Sequence, residues 1–189
     1  MNIVLFGPPG AGKGTQAKMI CEKFNLLHIS TGDILRSEIK SGSGLGNNVK
    51  KLTETGLLVA DNIIIEIIKN YIEKQNKNFL GFLFDGFPRT TKQADLLSKF
   101  IVSLKLNLSA AIFIDVEQPL LIERILNRSK IEERNDDNEE ILASRLKIYY
   151  EETAPLVDYY KELDLLKWVD GKGKISEVNQ IISSILKGL

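Results

Sequence analysis

One cysteine and one histidine stand in this chain of 189 residues, and their scarcity removes several chemistries at once. The lone Cys21 forms no disulfide framework and no cysteine-built zinc site, which suits a reducing compartment, and its helical spacing makes it filler for a buried face. His28 sits in the apolar stretch Leu26-Leu27-His28-Ile29 with no partner set near it in sequence, so it is expected to be a packed strand residue rather than a base or ligand. Excess charge is also missing: Lys plus Arg and Asp plus Glu number 25 each. No global field then draws the chain to nucleic acid or to a membrane, and any anion site must be local. No apolar run reaches membrane-spanning length, and no basic N-terminal region precedes a long apolar segment, so a cytoplasmic location is expected. Repeats and low-complexity tracts are absent. A 43% hydrophobic content over this length suffices for one core with small insertions.

What is present starts at the N-terminus. The run Ile3-Val4-Leu5-Phe6, a short buried strand by pattern, leads directly into Gly7-Pro8-Pro9-Gly10-Ala11-Gly12-Lys13-Gly14-Thr15. Glycines at 7, 10 and 12 let the backbone turn tightly and aim successive N–H groups at one point. A helix with Ala17, Ile20, Cys21 and Phe24 at helical spacing follows, so its positive end faces the same point, and Lys13 adds a mobile charge for outer phosphates. This is a phosphate-binding loop with one departure. The usual Ser or Thr after the lysine is replaced by Gly14, and the hydroxyl comes one place later at Thr15. A magnesium ion here would lose its customary side-chain ligand and be held mostly by phosphate oxygens and water.

Along the rest of the chain, strands and helices alternate. A second strand is predicted over 26–30, and Ser30-Thr31-Gly32-Asp33 opens a helix with Ile34, Leu35 and Ile39. Residues 41–56 are polar and dotted with glycine, a small excursion from the core whose glycines at 42, 44, 46 and 56 suit a moving lid. An isoleucine-rich helix is predicted over 62–75 with Asp61 as N-cap. The third strand is predicted over 79–84 and runs into Asp85-Gly86-Phe87-Pro88-Arg89, which puts a carboxylate at the carboxyl end of a core strand. In a parallel sheet that end faces the phosphate loop, so Asp85 is the candidate for ordering water around magnesium. Further helices are predicted over 90–100, from Pro119 to about 128 and from the acidic run Asp136-Asp137-Asn138-Glu139-Glu140 to a break at Pro155. Strands are predicted over 110–115 and 167–170, with a closing helix over 175–186.

Lysine and arginine are used unevenly, with 19 lysines and six arginines. Where a generic positive charge suffices, this chain uses lysine. The arginines are Arg36, Arg89, Arg124, Arg128, Arg134 and Arg145, and a planar guanidinium binds two phosphate oxygens at once where a lysine cannot.

The loop 7–15, Ser30-Thr31-Gly32-Asp33-Ile34-Leu35-Arg36, Asp85-Gly86-Phe87-Pro88-Arg89-Thr90 and the acidic run 136–140 together resemble the adenylate kinases over the full length. The resemblance implies an α/β fold with a five-stranded parallel sheet flanked by helices. Residues 1–29, 60–128 and 135–189 would form the core, 30–59 a small helical AMP-binding insert and 129–134 a short lid over ATP. It implies transfer of the ATP γ-phosphoryl group to AMP, giving two ADP, in the presence of Mg2+. By motif position Gly10, Ala11, Gly12, Lys13, Gly14, Thr15, Arg124, Arg128 and the backbone of Gly173 would hold ATP. Thr31, Arg36, Leu57, Leu58, Val59, Gly86, Phe87, Pro88, Arg89, Gln93, Arg134 and Arg145 would hold AMP. Lys13, Arg89, Arg128, Arg134 and Arg145 would act on the transferring group. Only five residues separate Arg128 from Arg134 and none is cysteine, so the zinc of long-lid relatives is not expected. The expected partners are nucleotides, with no nucleic acid or membrane, and the expected state is a monomer.

Two rival readings carry less. A pyrimidine nucleoside monophosphate kinase shares the architecture, but Thr31 and Gln93 match the positions that face adenine in the resembled family. A GTPase-like switch lacks support, because Asn76-Lys77-Asn78 has no aspartate in the guanine-reading place.

Overall fold

The structure is a computed structural model that describes residues 1–55, 57–75, 78–132 and 139–189. Five strands, β1 (Asn2–Phe6), β2 (Leu27–Ser30), β3 (Phe82–Asp85), β4 (Ala110–Asp115) and β5 (Leu166–Asp170), form one parallel sheet in the order β2-β3-β1-β4-β5. The helices are α1 (Lys13–Phe24), α2 (Thr31–Ser41), α3 (Gly44–Glu54), α4 (Asp61–Glu73), α5 (Thr91–Ser103), α6 (Gln118–Glu132), α7 (Glu139–Ile148), α8 (Leu156–Glu162) and α9 (Ile175–Lys187). A π-helical turn, Tyr149–Thr153, joins the α7 segment to α8.

Alternate residues of the central strands serve the two faces, as the period of a strand requires. Val4, Phe6, Phe84 and Phe113 pack with Ile64, Ile67 and Ile68 of α4, Leu97 and Ile101 of α5, and Leu156 and Tyr160 of α8. Ile3, Leu5, Leu83 and Ile112 pack with Ala17 and Ile20 of α1, Leu121 and Ile125 of α6, and Ile182 and Leu186 of α9. Both faces are covered, which is why the strands read as continuous apolar runs rather than alternating ones. Because every strand runs the same way, the ends of β1 and β3 lie at one edge, with Leu5 opposite Asp85. The chain leaves β1 toward β2 on one side and crosses it to reach β4 on the other, so β1 marks the point where strand order reverses, and ligands of such sheets bind outside the strand ends at that point.

Several sequence expectations are corrected here. β3 begins at Phe82 rather than 79: Leu80 N–H donates to Asn25 O at 2.8 Å, and Gly81 packs so closely on the Met1 carbonyl that no side chain fits there. α4 starts at Asp61 itself with Ala60 as its N-cap, so Asp61 is not the cap. α6 does not stop near 128 but continues to Glu132, since Ser129-Lys130-Ile131-Glu132, though mostly polar, include neither Gly nor Pro to end a helix. Gly46 is needed for packing as well as pliancy: a side chain there would collide with the Glu38 carbonyl where α3 crosses α2. Gly56 and Arg134 lie outside the described residues. Pro155 breaks the helix as expected, with the π-helical turn on its N-terminal side.

Candidate active site

After Phe6 the chain turns through Gly7 to Gly12, with Ala11 N–H donating to Pro8 O at 3.1 Å, and Gly12 adopts the left-handed conformation (φ 92°) as N-cap of α1. No side chain caps that terminus, so the loop and the first turn of α1 present backbone N–H groups to the cleft. Lys13 folds back along the loop and donates through Nζ to Gly7 O at 2.8 Å and Pro8 O at 2.9 Å. Burial, reinforced by Arg89, Arg145 and Arg128 and opposed by Asp85, lowers its ammonium to about 7.

Asp85 ends β3 and is 7% exposed. Its neighbour is a surprise against the sequence reading: His28, expected to lack any partner set, puts Nε2 3.4 Å from Asp85 Oδ2, out of line for a hydrogen bond. The β2–β3 pairing, His28 opposite Leu83 and Ser30 opposite Asp85, brings them together. The Cys21 thiol is pushed up to about 12 by burial and by Asp85, which makes it inert as a nucleophile. Asp85 fits a magnesium ion of the kind the loop implies: it offers one carboxylate toward Gly14, where a Cβ would lie 3.8 Å from Oδ2. Among the described residues no three His, Cys, Asp or Glu side chains gather as a metal cage. One oxygen donor beside a phosphate loop suits an ion that keeps most of its water and takes its other ligands from phosphate.

Past Asp85 the chain forms a junction around the Gly86 carbonyl. Thr31 Oγ1 donates to Gly86 O at 3.0 Å and Arg89 Nε to the same oxygen at 2.9 Å. Gln93, 3% exposed, accepts the Arg89 N–H at Oε1 (2.8 Å) and donates through Nε2 to Asp61 Oδ1 at 3.0 Å. Lys92 Nζ lies 2.9 Å from Asp61 Oδ2, and the hydrogen bonds from Lys92 and Gln93 hold the Asp61 carboxyl below its usual range. Arg89 N–H can only donate and ionised Asp61 can only accept, so the orientation of the Gln93 amide follows without ambiguity. One N–H and one lone pair of that amide remain.

The phosphate loop, Asp85, Gly86 and Arg89 border one cleft of about 770 Å³. Its walls carry the loop from Gly10 to Thr15, Asp85, Gly86, Pro88, Leu58, Gly173 and five arginines: Arg36, Arg89, Arg124, Arg128 and Arg145. Arg124 and Arg128 share the face of α6 that their spacing predicts, and Arg124 Nη2 also donates to Gly171 O at 2.9 Å. Arg36 pairs with Asp33. Thr31, Phe87, Val59 and Gln93 are buried behind the wall, and Leu57 stands 49% exposed. A chain of zero net charge thus concentrates five guanidiniums and Lys13 on one cavity, which can neutralise two phosphate chains at once. The family model for adenylate kinase matches residues 5–165.

The chain belongs to the adenylate kinase family. Its relatives include the adenylate kinases of Leptospira biflexa (44% identical, 97% of this chain and 99% of the relative) and Flavobacterium psychrophilum (43%, 100% of both). That of Methanothrix thermoacetophila is 41% identical over 212 aligned positions, covering 98% of each chain. Nucleoside monophosphate kinase activity follows from this membership, and adenylate kinases in general work on ATP with Mg2+.

Sequence reasoning missed four residues that border or support the cleft of this family member. Asp61, expected only as a cap, accepts from Gln93, and His28, expected only as packing, lies beside Asp85. Gln16 donates through Nε2 to Ile175 O at 2.9 Å, tying α1 to the start of α9. Thr153, from the π-helical turn, donates through Oγ1 to Arg89 O at 2.8 Å. For Thr153 a signal existed: Arg145, Tyr149 and Thr153 recur every four residues, the spacing of one helical face, and all three line the cleft.

Proposed function

We propose that the chain transfers the γ-phosphoryl group of ATP to AMP with the residues of this cleft in distinct roles. The loop from Gly10 to Thr15 with Lys13 holds the ATP phosphates, Arg124 and Arg128 lie along the same nucleotide, and the backbone at Gly173 borders its base. Thr31, Arg36, Leu57 to Val59, Gly86 to Arg89 and Gln93 hold AMP. Arg89, Arg145 and Arg134 grip the acceptor phosphate and the group in transfer. The observation that carries this is the gathering of five of the six arginines, from three separate helices and the loop after β3, on a single cavity beside the phosphate loop.

The chemistry asks little of the protein beyond placement. A nucleoside monophosphate is already ionised at its attacking oxygen, so no general base is needed, and the problem is to bring two polyanions into line. Arginines offset that repulsion and follow the charge as it shifts to the equatorial oxygens. Asp85 would hold Mg2+ through water, and the ion when bound supplies further charge neutralisation across the phosphates. The two free valences left on the Gln93 amide, one N–H and one lone pair, match an adenine edge that offers one acceptor beside one amino donor. Water must be kept from the γ-phosphate, which the insert 30–59 and the short lid 129–134 achieve by closing over the cleft. The lid carries no zinc in this reading, since residues 129–134 include no cysteine or histidine. The protein works as a cytoplasmic monomer. A coupled ADP-formation assay over a panel of acceptor nucleotides tests the proposal: AMP is the fastest acceptor, and faster turnover with CMP or UMP would overturn it.

A further inference from the structure

Arg89 lies between the end of β3 and the start of α5, in a segment that no strand or helix ladder holds. Among the hydrogen bonds that set its backbone and side chain are those from its N–H to Gln93 Oε1 (2.8 Å), from its Nε to Gly86 O (2.9 Å) and from Thr153 Oγ1 to its carbonyl (2.8 Å). The first two are internal to the segment, three or four residues apart, and their partners are tied in turn to Thr31 of α2 and Asp61 of α4, on the side of the cleft away from Arg145. The third crosses 64 residues to another element.

We propose that Thr153 is a positioning residue that sets Arg89 in register with Arg145. The inference rests on the reading above, in which both guanidiniums act on the phosphates. Thr153 closes the π-helical turn Tyr149–Thr153, which follows α7, the helix that carries Arg145. In an α-helix a threonine hydroxyl commonly turns back to the carbonyl four residues earlier. Here the Tyr149 carbonyl receives the Ala154 N–H at 2.8 Å, and the Thr153 hydroxyl donates outward instead. Pro155 has no N–H with which to continue an α-helical ladder, which favours the wider turn at this place. The outcome is a single rod on which Arg145, Tyr149 and Thr153 face the cleft together. One end of that face bears a guanidinium, and the other holds the backbone of a second guanidinium. Thr153 is 7% exposed, so water does not readily replace the bond.

The test compares Thr153→Val, which keeps the shape and removes the donor, with Thr153→Ser, which keeps the donor. Loss of one buried hydrogen bond should lower kcat/KM for AMP about tenfold in Thr153→Val. KM for ATP should stay within about twofold of wild type, and Thr153→Ser should restore kcat/KM for AMP to within about twofold. On an Arg89→Ala background Thr153→Val should add no further loss, because the group it positions is gone. A purely packing role would instead lower thermal stability while leaving the ratio of AMP to ATP effects unchanged. The inference is overturned if Thr153→Val turns over AMP like wild type, if serine fails to rescue, or if the loss is as large on Arg89→Ala. Should Thr153→Val not fold, Thr153→Ala carries the same comparisons, and failure of both to fold would mark the residue as structural and sink the proposal. An Arg89→Ala variant with wild-type turnover would instead refute the parent reading of Arg89, and this inference with it.

Discussion

Lys13 provides a quantity that can be worked from the structure before any measurement. The protein's own groups hold its ammonium at about 7, chiefly through burial, with Arg89, Arg145 and Arg128 adding to the effect against Asp85. A triphosphate bound at the loop brings several negative charges against that nitrogen and restores its ordinary preference for the proton. Binding must therefore take up protons. With a starting value of about 7, the lysine is about half protonated at pH 7 and about one-tenth protonated at pH 8, so uptake should rise from about 0.5 to about 0.9 proton per nucleotide. Affinity should fall about fivefold from pH 7 to 8 and about tenfold per unit, or about 1.4 kcal/mol, above pH 8. The same sign governs the protein alone. Its folded-state value lies below the unfolded 10.5, so this group costs stability at low pH, and the fold gains stability as pH rises from about 7 toward 10.5. Calorimetric titration with magnesium and a non-hydrolysable ATP analogue, in two buffers of different ionisation enthalpy at pH 8, reads the uptake directly. Phosphate oxygens are already ionised there, so the protons are the protein's. Lys13→Arg, always charged, should abolish the uptake. Less than about 0.2 proton at pH 8 in wild type, or equal uptake in Lys13→Arg, would refute the reasoning.

Arg89→Lys and Arg145→Lys keep the charge and lose the fork, so each should cut turnover by about 10² to 10³, or roughly 3 to 4 kcal/mol, while Lys69→Arg or Lys99→Arg as a control stays near wild type; more than half of wild-type turnover in either variant at saturating substrates would end the guanidinium argument. Asp61→Ala removes the acceptor that orients the Gln93 amide, and kcat/KM for AMP should fall about five- to tenfold relative to other acceptors, roughly 1 to 1.4 kcal/mol, with KM for ATP little changed. Gln93→Leu removes the proposed base contact and also strips partners from the Arg89 N–H and from Asp61, so a thermal melt should show a lower Tm alongside lost selectivity. Elemental analysis of purified protein should find no zinc, and excess chelator should abolish turnover; one zinc per chain, or full activity in chelator, would contradict the metal reading.

What could be read from the sequence and what could not divide along a physical line. The meeting of the phosphate loop, five arginines and Asp85 at one cleft was legible because a ligand, on the proposed reading, would dictate them: phosphate geometry demands glycines at set spacing, and a neutral, lysine-rich chain shows its guanidinium sites by contrast. The strands and most helices were legible from apolar period, except where a local contact intervenes, as at Gly81, or where a helix runs on through a mostly polar stretch, as at the end of α6. His28, Asp61 and Thr153 were not, because each has its partner elsewhere in the protein. His28 meets Asp85 only through the register of β2 on β3. Asp61 reaches Gln93 across 32 residues, and Thr153 reaches Arg89 across 64. A residue that touches substrate must recur in a pattern the substrate imposes. One that touches another side chain or carbonyl needs only to arrive there, and many local sequences can deliver it. The legible arginines are therefore only half of the site. Arg89 can offer a fork to phosphate because Gln93 and Thr153 hold its two backbone groups, and the amide of Gln93 has a defined sense because Asp61 and Arg89 leave it no alternative. On the proposed reading, substrate selectivity in this cleft would depend on hydrogen bonds that never reach the substrate.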